Sequence, residues 1–276
     1  MNLKNIKFTV LLPILDRKDI VKGFSKALES IYKNSLKPDQ VLVTVDGPVS
    51  KSFKKIIEQN ETKYSLDIVW SEKKIGLDKA LNLGLTKSKN EFIFRADGDD
   101  INLEQRFETQ LPFLLNGVDV VGSFIDEYDE FGNYLATRKV PITDTEVKKI
   151  IPFRNPMNHM TVGFKKSAVD DVGGYPNLFL KGDYGLWIKL ISARKKFKNV
   201  EKSLVKATTG NRMISHRGGF RYVISEIELQ KFLIQHNLNN ILRAFIIFLL
   251  RAFVFLMPSF IRYYIYMIFL RTRKIK

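Results

Sequence analysis

A chain of 276 residues with 45% hydrophobic and 27% charged residues has the composition of one folded domain, or of a domain with an appendage. It contains no cysteine, which excludes disulfides, thiolate zinc sites and a cysteine nucleophile, and fits a reducing compartment. Its 45 basic and 29 acidic side chains leave a net charge of +16, which calls for an anionic partner or surface.

Lys4 and Lys7 precede the apolar run "FTVLLPIL", a pattern shared with secretory leaders. The next residues are "DRKD", with no small-x-small cleavage site, so the run is expected to be a buried first strand. "QVLVTVD", "LDIVWS" and "EFIFRAD" are three further short apolar runs. Between these runs, Ile20, Phe24, Ala27, Leu28 and Ile31 recur at helical spacing, as do Leu77, Ala80, Leu81 and Leu85. Helices alternating with continuously apolar strands imply an α/β fold with a parallel sheet covered on both faces. Ligands of such sheets bind beyond the carboxyl ends of the strands. "VDG" (Val45 to Gly47) ends the second strand and "RADGDD" (Arg95 to Asp100) the fourth, so the two acidic sites are expected to converge on one crevice.

After Leu111 the pattern becomes mixed. "VDVVGSFIDEYDEFGNYLATRKV" reads as a hairpin turning at Gly132-Asn133, "MTVGF" as a strand, "YGLWIKLISARKK" as a helix and "SLVKATT" as a last strand. Trp187 falls at apolar spacing with Leu186 and Leu190 and is expected in the core. From Leu238 the composition shifts to "LNNILRAFIIFLLRAFVFLMPSFIRYYIYMIFLRTRKIK", where the longest uncharged run is ten residues, Ala252 to Ile261. A spanning helix needs about 20 apolar residues. At about 100° per residue, Arg243, Arg251 and Arg262 fall within about a quarter turn, with Pro258 expected to kink the segment. An apolar cylinder with a narrow basic stripe predicts helices lying on an anionic membrane surface, their arginines reaching lipid. The alternative is a helix pair packed on the core, or a dimer interface. Nucleic acid is not expected, because the tail presents Phe, Leu and Ile in blocks rather than basic residues interleaved with aromatics on a polar face.

Asp97, Asp99 and Asp100 place three carboxylates at a strand's mouth. Hard oxygen ligands at this spacing suit Mn²⁺ or Mg²⁺, which takes one or two protein carboxylates plus substrate phosphates. Asp100 could equally cap the following helix "LEQRFETQLPFLL". No Gly-x-Gly-x-x-Gly follows the first strand, which counts against a nicotinamide enzyme.

The stretches "FTVLLPILDRKD", "VLVTVDGPVS", "KKIGLDKALNLGL", "FRADGDD", "NPMNHMTVGFKKSAVDDVGGY", "FLKGDYGLWIKL" and "ISHRGGFRY" together resemble family 2 glycosyltransferases, in the family's order over about residues 7 to 225. The narrower similarity is to the small bacterial enzymes of exopolysaccharide, capsule and lipopolysaccharide assembly, the amylovoran type among them. The resemblance implies the GT-A fold: a mostly parallel twisted sheet flanked by helices, with a Rossmann-like nucleotide-binding half and a mixed acceptor half. Residues 1–236 are expected to form this domain, and residues 237–276 the basic amphipathic membrane-associating helices.

Residue by residue, the resemblance implies that Pro13 closes the first strand at the nucleotide pocket and that Asp46 accepts a hydrogen bond from a uracil ring. It makes Asp99 the direct metal ligand, with Asp97 nearer the nucleoside and Asp100 beside them, and Asp183 the general base. The family usually carries Glu before that base, where this chain has Gly182, and Pro48 replaces a small polar residue. Asp183 also sits where it could cap the helix that follows. Arg217 is a candidate diphosphate contact, since a guanidinium fork matches phosphate oxygens. His159 is a candidate on the acceptor side, with a satisfied structural histidine as the alternative.

The function expected from these residues is metal-dependent, inverting hexosyl transfer. A nucleotide-diphosphate sugar, UDP-linked, gives its sugar to a hydroxyl of a lipid-linked saccharide in bacterial surface polysaccharide synthesis. The enzyme would work as a peripheral protein on the cytoplasmic face of the inner membrane. The alternative is a membrane-bound nucleotide-sugar-binding homologue without turnover, for which Gly182 is the main argument.

Overall fold

The computed structural model describes residues 3–208 and 218–270. Strand and helix alternate through the first half: β1 (Phe8–Ile14), α1 (Lys18–Tyr32), β2 (Gln40–Val45), α2 (Lys51–Tyr64), β3 (Asp67–Trp70), α3 (Leu77–Lys87) and β4 (Phe92–Arg95). These strands pair in parallel in the order β3-β2-β1-β4, as the four apolar runs imply.

β1 is buried along its whole length, and its alternation divides the core. Phe8, Val10, Leu12 and Ile14 face the layer built from α1, α2 and a helix α4 (Arg106–Leu115). Leu11 faces the opposite layer, with Leu81 and Leu85 of α3. Pro13 does not close the strand, which runs on to Ile14. Leu11 O accepts from Ala96 N, so Pro13, two residues on, directs its missing N–H past the end of β4. No ladder bond is lost there, and proline is tolerated in a central strand.

In the second half, β5 (Ile101–Asn102), β6 (Val120–Tyr128), β7 (Tyr134–Arg138), β8 (Gly163–Lys165) and β9 (Phe197–Thr208) extend the sheet through β4-β8-β6-β9-β5, with β7 pairing β6 as the hairpin predicts. β8 is antiparallel to both β4 and β6, so direction is mixed here. The expected strand "MTVGF" is split, because His159–Thr161 forms a 3-10 turn before β8. α5 (Asp144–Ile150) and α6 (Lys166–Asp170) are short connectors. α7 (Gly182–Ser192) buries Leu186, Trp187, Ile188 and Leu190 in the Leu11 layer, as the spacing predicts.

Three helices end the described chain: α8 (Phe220–Gln235), α9 (Ile241–Leu256) and α10 (Ser259–Leu270). Pro258 breaks the last two apart rather than kinking one helix. Here the structure corrects the expectation for Arg243, Arg251 and Arg262, which do not reach outward to lipid. Arg251 pairs with Glu226 of α8 at 2.7 Å, where the Glu226 side chain is 0% exposed. Arg243 donates to the Asn239 side chain and to Leu238 O and lies over the Phe153 ring. Arg262 is buried and donates to Phe255 O and Met257 O, the last carbonyls of α9. A buried carboxylate on α8 holds Arg251, amide and carbonyl groups hold Arg243 and Arg262, and the apolar face, including Leu242, Phe245, Leu249 and Phe253, is left exposed. Among the described residues, no helix is long and apolar enough to cross a membrane.

This pairing makes a stability prediction. Arg251→Met is expected to cost about 3 kcal/mol, the low end for breaking a buried ion pair because Arg251 is partly exposed. Thermal unfolding should then begin roughly 6–12 °C lower. Glu226→Met in the same chain should restore part of that loss, since the buried carboxylate is then gone and only its weaker partner Lys181, 3.9 Å away, loses a counter-charge. Single and double variants melting alike would refute the account.

Candidate active site

The acidic loop lies between β4 and β5, clasped against α1. A Cβ on Gly23 would fall 2.8 Å from Asp99 Cα, so only glycine on α1 lets the loop pack this closely. Arg95, buried at the end of β4, grips Asp97 with both guanidinium nitrogens, Nη1 to Oδ2 at 2.7 Å. Arg17 donates to Asp99 Oδ2 at 3.3 Å from the start of α1. Burial, then the neighbouring Asp97 charge, pushes Asp99 up to about 6 against the pull of Arg17. Burial, then Asp97 and Asp99, holds the Asp100 carboxyl well above the usual carboxylate range. Asp100 does not cap α4, whose N-cap is Gln105. Its Oδ1 accepts from Thr208 N at the end of β9, and its buried Oδ2 has no partner among the described residues.

The residues present fit a divalent cation. Carboxyl groups crowded enough to resist ionisation, with one buried oxygen unsatisfied, lack positive charge at this loop. Among the described residues no three acidic or histidine side chains converge into a complete metal cage. A site completed by substrate phosphates needs only one or two protein carboxylates.

Asp46, buried at the end of β2, accepts from Ile75 N at 2.6 Å and from Gly76 N at 3.2 and 3.1 Å. It thereby fixes the entry to α3. From that helix, Asn82 clamps the backbone of Tyr175, donating to its carbonyl at 2.9 Å and accepting from its N–H at 2.8 Å. Tyr175 is buried between the two halves of the site. Burial pushes its hydroxyl above the usual tyrosine range, and the hydroxyl lies in the field of Arg95, Asp183, Asp78 and Asp97. The charges of the fourth strand's loop and of α7 are therefore both felt at one residue.

Asp183 is in the first turn of α7, whose N-cap is Lys181, so it is not the capping side chain. Its Oδ2 accepts from Asn155 Nδ2 at 2.7 Å. His159 is not directed at the acceptor side: its Nε2 meets the Tyr175 hydroxyl at 2.9 Å, and its ring packs on Tyr175 and Trp187. Burial, with Arg95 nearby, holds it well below the usual histidine range, so it is a neutral structural residue. Arg217 lies outside the described residues.

Sequence reasoning missed Arg17, Arg95, Asn155 and Asp78. Arg95 alone had a signal, a charged residue interrupting the apolar run "EFIFRAD". The other three reach the site by folding, with nothing local to mark them.

The sequence model of glycosyl transferase family 2 matches residues 9–172. The amylovoran biosynthesis glycosyltransferase AmsE of Erwinia amylovora is 31% identical over 94% of this chain and 97% of its own length. A UDP-Gal:alpha-D-GlcNAc-diphosphoundecaprenol beta-1,3-galactosyltransferase of Escherichia coli is 36% identical over 94% of this chain and 95% of its own. Among solved structures, S. aureus TarS 1-349 in complex with UDP superimposes with a TM-score of 0.66 at 19% identity, covering 98% of this chain and 76% of that one. The mannosyltransferase PcManGT from Pyrobaculum calidifontis, in complex with GDP-Man and Mn²⁺, gives 0.57 at 15% identity over 83% of this chain and 62% of that one. The architecture is that of GT-A glycosyltransferases, and the chain belongs to glycosyl transferase family 2.

Proposed function

We propose that this protein is an inverting glycosyltransferase that moves a sugar from a UDP-sugar to a hydroxyl of a lipid-linked saccharide during bacterial surface polysaccharide synthesis. The observation that carries the reading is that the charges of Asp97, Asp183 and Arg95 all act on Tyr175, with Arg95 bonded to Asp97 and Asp99 on the same loop. The relatives named above support the donor and acceptor classes, one by its UDP-Gal donor and diphosphoundecaprenol-linked acceptor.

In this reading Asp46 keeps lone pairs on its carboxylate beyond those used by Ile75 and Gly76, and one accepts the uracil N–H. Asp99 would hold Mn²⁺ or Mg²⁺, with Asp97 and Asp100 behind it; such a cation offsets the charge that builds on the diphosphate as the sugar leaves. Arg95 fixes Asp97 so that the loop is already formed when donor arrives. Asp183, oriented by Asn155, takes the proton of the acceptor hydroxyl as it attacks the anomeric carbon. One base and one displacement invert that centre, by the same geometry that places an inverting glycosidase's base opposite its leaving group. Arg217 is kept as a diphosphate contact on the strength of its guanidinium alone.

Residues 1–236 carry the chemistry, and residues 237–276 rest on the cytoplasmic face of the inner membrane. The lipid-facing surface in this reading is the exposed apolar face of α9 rather than its arginines. Leu249→Glu with Phe253→Glu is expected to shift the protein from pellet to supernatant when sedimented with phosphatidylglycerol-phosphatidylcholine vesicles; unchanged sedimentation would defeat this assignment. The function itself is tested by UDP release across a panel of UDP-sugars, with and without an undecaprenyl-diphosphate-linked saccharide. Transfer dependent on that acceptor supports the reading, and donor binding with no transfer to any acceptor favours the non-catalytic homologue.

A further inference from the structure

At the entrance to α7 a carboxyl group from another helix lies against the chain. A Cβ built on Gly182 would fall 1.9 Å from Asp78 Oδ2 and 2.0 Å from Asp78 Cγ, so any side chain at 182 would displace the Asp78 carboxyl group. Gly182 is helical and does not have a positive φ, so no turn requires glycine there. The missing side chain leaves the Asp78 carboxyl group room against the backbone one residue before Asp183.

Asp78 is the second residue of α3 and half-buried, and has no hydrogen-bond partner among the described residues. Its oxygens are not sealed in the core, so they stay available to a ligand. The charged and titratable groups facing it are Asp183 from α7 and Tyr175 from the segment before that helix. Burial, then the Asp183 charge, pushes Asp78 up to about 7. At neutral pH much of it is therefore a carboxylic acid, able both to donate and to accept a hydrogen bond.

We propose that Asp78 is an acceptor-binding residue: its carboxyl group holds a hydroxyl of the acceptor sugar next to the one that Asp183 deprotonates, in the space cleared by Gly182. The inference rests on the reading of Asp183 as the base. It also accounts for glycine at the position where the resembled family carries Glu, because the second carboxyl group now arrives from α3 instead of α7.

The test is steady-state transfer with a UDP-sugar and an undecaprenyl-diphosphate-linked saccharide. Asp78→Ala is expected to lower kcat/KM for the acceptor by at least tenfold while the KM for the UDP-sugar and donor-only hydrolysis stay within twofold. Asp78→Asn should lose less than Asp78→Ala, and should lack the inflection near pH 7 expected in the wild-type acceptor kcat/KM. Asp78→Ala with Gly182→Glu should regain most of the lost acceptor kcat/KM, since a carboxyl group returns to the vacated space from α7. The idea is overturned by an Asp78→Ala enzyme within twofold of wild type for the acceptor, by an equal loss in donor KM, or by a double variant no better than the single one. Asp183→Asn run alongside separates the two claims. Persisting transfer in that variant removes the base reading, whereas its loss beside an unaffected Asp78→Ala removes this inference alone.

Discussion

Asp183→Asn is expected to lower sugar transfer by about 10²–10⁴-fold, the range a positioned general base contributes. Asparagine has the shape of aspartate, and its carbonyl can still accept from Asn155, so the start of α7 should keep its geometry. What is removed is the ability to take a proton. UDP-sugar affinity, measured by isothermal titration, should therefore stay within about twofold, because the residues proposed to bind the nucleotide lie at the end of β2 and on the β4 loop. A variant that loses donor binding and transfer in equal measure would point to a structural role for Asp183. A wild-type chain that binds donor and shows no transfer to begin with would leave nothing for the variant to abolish, which is the outcome the binding-only homologue requires.

Asp99→Ala is the second large effect. The wild-type chain is expected to bind UDP more tightly in the presence of Mn²⁺, and EDTA should remove both that gain and transfer. With Asp99 gone, the direct ligand is lost, while Arg95 continues to occupy Asp97. Mn²⁺ should then give no increase in UDP affinity, and transfer should fall by at least about 10²-fold, as for removal of a preorganised charge from a reacting centre. The variant also relieves crowding between carboxyl groups, so its thermal stability should not fall with its activity. Unchanged metal dependence in this variant would remove Asp99 from the role of ligand, whatever the metal does elsewhere.

The two halves of the site were unequally legible. Asp46, Asp97 and Asp99 could be located because each ends a continuous apolar strand, and in a parallel sheet every such end lies on one side. Asp183 was reached through the family resemblance; on local pattern alone it looked like a helix cap, which Lys181 turns out to be. His159 is hydrogen-bonded to Tyr175, sixteen positions along the chain, and only the packing of the 3-10 turn against that segment decided this.

The C-terminal helices show the same division. Periodicity expected Arg243, Arg251 and Arg262 on one face, but Arg262 lies on a separate helix beyond Pro258, and periodicity carries no information on where a face points. For Arg251 the answer depended on Glu226, in a helix with mixed periodicity that the pattern did not reveal. For Arg243 and Arg262 it depended on Asn239 and on carbonyls at helix ends, groups that no periodicity marks.

What the sequence by itself determined is the parallel first half of the sheet, its alternation of strand and helix, and the side on which its acidic strand ends lie. These follow from local periodicity and from the one side on which a parallel sheet presents its carboxyl termini. Only the tertiary structure decided the mixed half of the sheet and which side chains face one another. Arg17 meets Asp99 across 82 positions, and Asp78 meets Gly182 from a different helix. Such pairs are set by how helices dock on the sheet, which depends on the packed volume of the whole core rather than on any short run of residues.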